Sequence, residues 1–596
     1  MIKSFVITVI MVLFSYAAVF TQEQERPTPP PRETRMPEAD RIEREEPQRD
    51  RLPEFELPEY VITGRATFRL PYIHKPKITE QNIYIAEVSE TMESIDRDVE
   101  TTPIDLPTKS FGEFRTVPAM QHGQVRLGYG RFNTPAVSGW ANYRSGAWDV
   151  SGRLSYLNTE GHELYAEGYD LDGRLQFGYR IPREAPTLVR GGRPHLIIGF
   201  EGLKHGLFRP AMGVDLNGFD LRKRTFRSSY SEIGFQSGTD APFEFDFTFG
   251  WRGSTLENEE HPVDNGEVNI PQLNDDEVYS RLTTLGYIEA VRFRSSIEYI
   301  VNNLDFDTEA ELNNPHFFKG AATALFPVVQ DYMTLELGGS LYSTRHTHSD
   351  FESFVKPFIE LRVSPVQSFT VYGRYAPEVI HRSLYSLHHY YPYTGWWAPD
   401  EGQQVMIMPS DEKINVAAGV EFIPHRQLNV HAYAHYREIE AYPGFHSMNS
   451  YGTLNLTYLG TTTLFSINAD IRYALTDRDI LTTQTSLRYT TNDHFDSSVP
   501  FIAPVEIAAM YTHEFEFGLR ASAGFEFLSS RRAAYLAGDS DALGTLVNLN
   551  LDVQYQFHNI MGVYMKLDNV LNHSYERYYT YSARPFYVEG GIQLSF

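Results

Sequence analysis

The sequence predicts an all-β protein: a transmembrane antiparallel β-barrel of about 22 strands behind a disordered N-terminal extension. Three observations carry that expectation. They are long runs of alternating polarity, short and long connections in alternation, and a chain that finishes inside an alternating strand. The last of these is the simplest to read. In the closing "FYVEGGIQLSF", Phe596, Leu594, Ile592, Gly590, Val588 and Phe586 fall on one side, and Ser595, Gln593, Gly591, Glu589 and Tyr587 on the other. A period of two marks a strand with one apolar and one polar face.

Four further runs repeat the scheme. "FEFGLRASAGFEF" sets Phe515, Phe517, Leu519, Ala521, Ala523, Phe525 and Phe527 against Glu516, Gly518, Arg520, Ser522, Gly524 and Glu526. "VNLNLDVQYQF", "MTLELGGSL" and "LNVHAYAHYR" do likewise. Such runs are about 9–13 residues long, whereas strands of globular domains average about 5–6 and a tilted membrane-spanning strand needs about 9–11. Short connections ("FPVVQD", "SPVQS", "IPHRQ", "GTTT", "THE", "FHN") alternate with long polar ones at 254–277, 377–412, 437–450, 529–544 and 573–585. Short turns on one side and long loops on the other are the habit of bacterial outer-membrane barrels.

Composition agrees. Of 596 residues, 38 are Tyr and 39 Phe but only 5 Trp, and aromatic content is 14%. That suits rings placed at a lipid–water boundary. A net charge of −25 argues against nucleic acid as a partner, and the absence of Cys excludes disulfides, thiolate metal sites and cysteine nucleophiles. Mean hydropathy is −0.36, so bulk hydropathy gives no hint of a membrane.

Residues 1–21 read as a secretory signal peptide, with one Lys followed by a short apolar run closed by small residues. Residues 22–58, rich in Pro, Glu and Arg, cannot bury enough apolar surface to offset their ordering entropy and read as a disordered linker. The barrel is expected over 123–596, with 66–122 as a periplasmic or lumen-filling segment. Strand starts are placed near 123, 136, 147, 171, 195, 225, 242, 278, 291, 316, 331, 354, 368, 413, 428, 451, 463, 501, 515, 545, 560 and 586. The run at 481–490 is assigned to an ordered external loop, because three strands cannot connect two turns on the same side.

Two stretches resemble a known family. "MGVYMKLDNVLNHSYERYYTYSARPFYVEGGIQLSF" is similar to the end of TonB-dependent outer-membrane receptors, through Asn569, Val570, Leu571, Asn572, Tyr575, Glu576, Arg584 and Phe586. "LPEYVITGR" is similar to the short box that precedes the family's plug. The resemblance implies that Glu59, Tyr60, Val61, Ile62, Thr63 and Gly64 (within 59–65) meet a TonB-like energy transducer by β-augmentation. It also implies that Phe586 and the terminal Phe596 serve recognition by the barrel assembly machinery. One departure stands out. Only 57 residues separate box and barrel, and they lack the Gly-rich, β-branched pattern of a plug, so the plug is expected to be absent or reduced.

Chemistry-bearing constellations are few. On the lumen-facing side fall His431, His435, Arg472 and Arg520, which pair or are hydrated in the plainest reading and line a solute path in the sharper one. His431 and His435 are about 13 Å apart along a strand, too far for one metal. "RHTHSD" places His346, His348 and Asp350 in a loop, most simply a solvated tip. The ligand candidates are His388, His389, Tyr390, Tyr391, Tyr393, Trp396 and Trp397 in "SLHHYYPYTGWWAPDEG". They either stack on a sugar, siderophore or partner, or form the core of a loop packed on itself. No G-x-S-x-G, H-E-x-x-H or P-loop pattern occurs, so no enzymatic role, cofactor or metal is expected. Solute uptake or passage across a Gram-negative outer membrane is the leading function. The alternative is a non-transport anchor whose periplasmic tail recruits a separate protein.

Overall fold

Alternation in the chain becomes a wall in the computed structural model. It describes residues 123–596 apart from 163–165, 183–188, 208–221, 239–242, 259–271, 289, 307–313, 330–331, 348–349, 396–406, 449–453, 494–497, 534–541 and 579–580. The wall strands are Gly123–Gly130, Thr134–Ser145, Trp148–Thr159, Gly168–Tyr179, Arg193–Leu207, Arg222–Gln236, Glu244–Asn258, Leu273–Ile288, Val291–Phe306, His316–Val329, Met333–Arg345, Glu352–Val366, Phe369–Tyr375, Ser410–His425, Leu428–Glu440, Thr462–Ala474, Asp479–Asn492, Val505–Glu514, Leu519–Leu528, Leu546–His558, Met561–Asp568 and Tyr587–Ser595. Each pairs antiparallel with its neighbours, and they close as a 22-strand barrel.

Closure joins the two ends of the barrel sequence. Val125 pairs with Leu594 and Leu127 with Ile592. The backbone of Gly123 and Phe596 exchanges two hydrogen bonds, 2.7 and 3.0 Å long. Closure leaves the wall no open sheet edge, as strands in hydrocarbon require. Inside this seam Tyr564 donates to Glu589 at 2.9 Å and Arg126 Nε donates to Gln593 at 3.1 Å. Glycine makes room for them. A Cβ at Gly128 would lie 2.0 Å from the Tyr564 hydroxyl, and one at Gly591 would lie 2.1 Å from the Leu127 carbonyl oxygen.

Register assigns the faces. Leu341 opposes Val355 and Leu337 opposes Ile359, all exposed on the outer side. Between them Ser340 opposes Lys356 and Glu336 opposes Glu360, on the lumen side. The exterior is therefore an apolar belt and the interior a polar lining, the arrangement a bilayer selects. Short turns such as those between Val366 and Phe369, His425 and Leu428, and His558 and Met561 gather at one end with both barrel termini. Longer connections gather at the other.

Two strand assignments need correction, and they cancel in the count. Asp479–Asn492 is a wall strand, paired with both Thr462–Ala474 and Val505–Glu514, and not an external loop. The start placed near 451 belongs instead to Leu454–Leu459, which pairs with Tyr442–Met448 in a small sheet outside the wall. "GTTT" accordingly lies at the loop end, and the true short turn is at 475–478. The run at 481–490 is strand-like, with Leu487 and Tyr489 exposed on the outer side. Parity excluded it only while "GTTT" counted as a turn at the terminus end, and with "GTTT" at the loop end it is a required crossing.

Candidate functional site

The connection between Phe369–Tyr375 and Ser410–His425 holds the one helix among the described residues, Leu384–Tyr390. Its start is specified locally. Ser383 Oγ accepts from Ser386 N–H and Ser386 Oγ accepts from Ser383 N–H, a reciprocal cap that satisfies two otherwise orphaned donors. A third donor is met at long range: Leu384 N–H donates to Asp275 Oδ2 at 2.9 Å.

One helix face is apolar and buried. Leu384 packs with Phe226, Leu256 and Leu273. Leu387 packs with Leu304 and Ile407. His388 stacks on Phe226 with ring centroids 4.0 Å apart. Polar anchors flank this contact. Glu201 holds Tyr385 at 3.3 Å and His389 Nε2 at 2.8 Å, and the Arg252 guanidinium lies 4.1 Å from the centre of the Tyr385 ring. Past the helix, Arg224 Nη1 donates to the carbonyls of Pro392 and Thr394 at 3.0 and 2.8 Å. The connection thus reaches from its own strands to five others, Arg193–Leu207 through Val291–Phe306. We call it the strap.

Its far side meets other loops. Tyr391 lies against Phe501 and Tyr578, Tyr393 stacks on Tyr581 at 3.5 Å, and Tyr390 shares a hydroxyl contact with Tyr442. The strap therefore lies across the loop end of the lumen, packed between strand ends and the connections of later strands. Full burial holds the His388 imidazole well below its ordinary pKa and raises the Tyr391 phenol well above its own, because neither charge is tolerated there.

Of the sequence-stated ligand candidates, His388, Tyr390 and Tyr391 are buried in this layer, while His389 and Tyr393 are half-buried. Trp396 and Trp397 lie outside the described residues, as do His348 and the whole of Glu59, Tyr60, Val61, Ile62, Thr63 and Gly64. The lumen residues are not brought together into one site. His431 accepts or donates to Tyr372 at 2.8 Å and sits 3.8 Å from Asp470, whereas His435 bonds Asn415 at 2.8 Å. Arg520 is 3.7 Å from Glu514, and Arg472 is an exposed residue opposite Asn429. Among the described residues no group of three or more His, Asp or Glu side chains is placed to hold a metal.

The C-terminal motif has a structural role that its residues explain. Asn569 spans its loop, donating to the carbonyls of His573 and Arg584 and accepting from His573 N–H. Asn572 Oδ1 accepts from Phe586 N–H at 2.9 Å. Both asparagines sit at positive φ, 49° and 48°, a region that Asn tolerates better than most residues. Sequence reasoning missed Glu201, Arg224, Phe226 and Asp275. The available signal was Phe226, Leu256 and Leu273, apolar residues on the lumen side of their strands that require a covering partner.

No protein-family model matches the chain, and no curated protein matches its sequence. Solved structures do match. The FrpB iron transporter of Neisseria meningitidis (F3-3 variant) aligns with TM-score 0.61 at 10% identity, over 80% of this chain and 81% of that one. The copper transporter OprC aligns with TM-score 0.58 at 11% identity, over 80% of each chain. This chain has the fold of TonB-dependent outer-membrane receptors. The ferripyoverdine receptor of the Pseudomonas aeruginosa outer membrane shares that receptor fold, with TM-score 0.57 at 11% identity over 81% of this chain and 73% of its own. A receptor-fold barrel with an apolar exterior belongs in the outer membrane, where the closed wall spans the bilayer.

Proposed function

We propose that this receptor-fold barrel takes up a solute across the outer membrane, with the segment Glu59–Gly64 engaging a TonB-like energy transducer. One observation carries the reading. A closed wall of 22 strands surrounds a polar lumen whose loop end is spanned by an aromatic, histidine-bearing strap. A scaffold that merely anchored partners would have no use for a polar lining beneath a buried layer of that kind. The transporters and receptors of iron, copper and ferripyoverdine that share the fold support the same role for this chain. No reacting group is needed for it, and none of the three is an enzyme.

The box reading is tested by deleting 57–65. Loss of solute accumulation in cells, with the barrel still folded in the outer membrane, is the expected result. Undiminished accumulation would leave the chain as a passive path or as an anchor whose tail recruits periplasmic proteins.

A further inference from the structure

Arg224 is a buried cation with a neutral shell. It is 4% exposed, its Nε donates to Asn258 Oδ1 at 2.9 Å, and its Nη1 donates to the two strap carbonyls. No carboxylate of the described residues pairs with it. Other buried cations do find an acid, as Lys356 on the wall does in Asp411 at 2.5 Å and Arg577 in the 573–585 connection does in Glu526 at 2.8 Å. A buried guanidinium left with carbonyl acceptors has forgone its strongest class of partner.

The groups around it are also donors in want of acceptors. His205 stands directly opposite Arg224 in the ladder, and its Nε2 has no hydrogen-bond partner among the described residues. His388 is 2% exposed, and neither of its ring nitrogens has a partner among the described residues. The two imidazoles are 6.4 Å apart, and Tyr393 abuts His205 at 4.7 Å. Each neutral imidazole carries one N–H to give.

We propose that Arg224, His205 and His388 form an oxyanion site, for a carboxylate or phosphate group of the incoming solute. Binding exchanges the Pro392 and Thr394 carbonyls on Arg224 for the anion and so releases the strap from the wall. The trade is favourable because an ion pair between guanidinium and anion replaces two ion–dipole bonds to carbonyls, while the freed carbonyls regain water. The inference rests on the uptake reading and adds to it a substrate class and a trigger.

The test is hydrogen exchange of the strap amides 384–391 in the full chain in detergent. Inorganic phosphate and citrate are each compared with sodium chloride at equal ionic strength. Exchange about tenfold faster with either oxyanion supports the site, and which one acts separates phosphoryl from carboxylate recognition. Arg224→Gln should exchange fast in all three salts and show no response. His388→Phe, which keeps a ring on Phe226, should remain slow in chloride and respond weakly. If Arg224→Gln fails to fold, Arg224→Lys and His388→Phe carry the comparison. Equal exchange of the wild type in all three salts would overturn the site, as would a full response in folded His388→Phe. Uptake plays no part in this readout, so the two readings fail separately.

Discussion

The wall and the strap are held by different forces, and their side chains show it. On the wall, Val355 is 78% exposed and Leu341 48%, because these residues are meant to touch lipid and make no protein core. In the strap, Leu384 is fully buried and Leu387 is 1% exposed. The wall draws its order from an unbroken hydrogen-bonded ladder, with the bilayer supplying its apolar partner. The strap draws its order from packing, as the interior of a globular domain does. Damage to the ladder should therefore be global, and damage to the strap local.

The largest effect is expected where the ladder closes. Gly591→Val would drive a side chain into the Leu127 carbonyl oxygen, 2.1 Å from its Cβ, and Gly128 Cα is only 2.7 Å away. Both are backbone atoms of the facing strand and leave little room to yield, so a loss of about 3 kcal/mol or more is expected. Disappearance of the heat-sensitive folded form on a semi-native gel would report it. A normal folded band would show that the seam has slack.

Next comes the strap interior. Leu387→Ala should loosen strap docking by about 2–5 kcal/mol while leaving the melting of the wall unchanged. Accelerated exchange at 384–391 beside an unaltered thermal transition is the signature. A lowered wall transition would mean that the two regions are one cooperative unit.

The smallest effect is set by protons. His388 is neutral when the strap is docked, since burial depresses its pKa, and takes up a proton near pH 6.5 when the strap is released. Docking is then at full strength above that pH and weakens by about 1.4 kcal/mol per unit below it, until the depressed docked pKa is reached. In His388→Phe that part of the acid sensitivity should vanish from the exchange profile. An unchanged profile would show that His388 does not carry the acid sensitivity.

The same contrast explains what could be read in advance. Strand alternation is local, so "VNLNLDVQYQF" and "FEFGLRASAGFEF" announce their faces in the sequence alone. Which end a connection occupies is not a local property, and with "GTTT" placed at the terminus end the parity of turns made a loop of the wall strand Asp479–Asn492. Strap contacts join residues far apart in the chain. The bond from Tyr385 to Glu201 spans 184 positions and that from Leu384 to Asp275 spans 109. No periodicity encodes such pairs. The aromatic segment was visible as chemistry, but its docking on Arg224 and Phe226 was not.

The seam sets a timetable for biogenesis. Arg126 and Gln593 touch across 467 positions, so the first wall strand waits, unpaired on one side, until the last has been delivered. Until then the half-made cylinder has two raw margins, each able to capture a stray strand or to expose bare amides to oil. A chain stopped short of Tyr587–Ser595 would thus be as ruined as one broken in the middle of the wall.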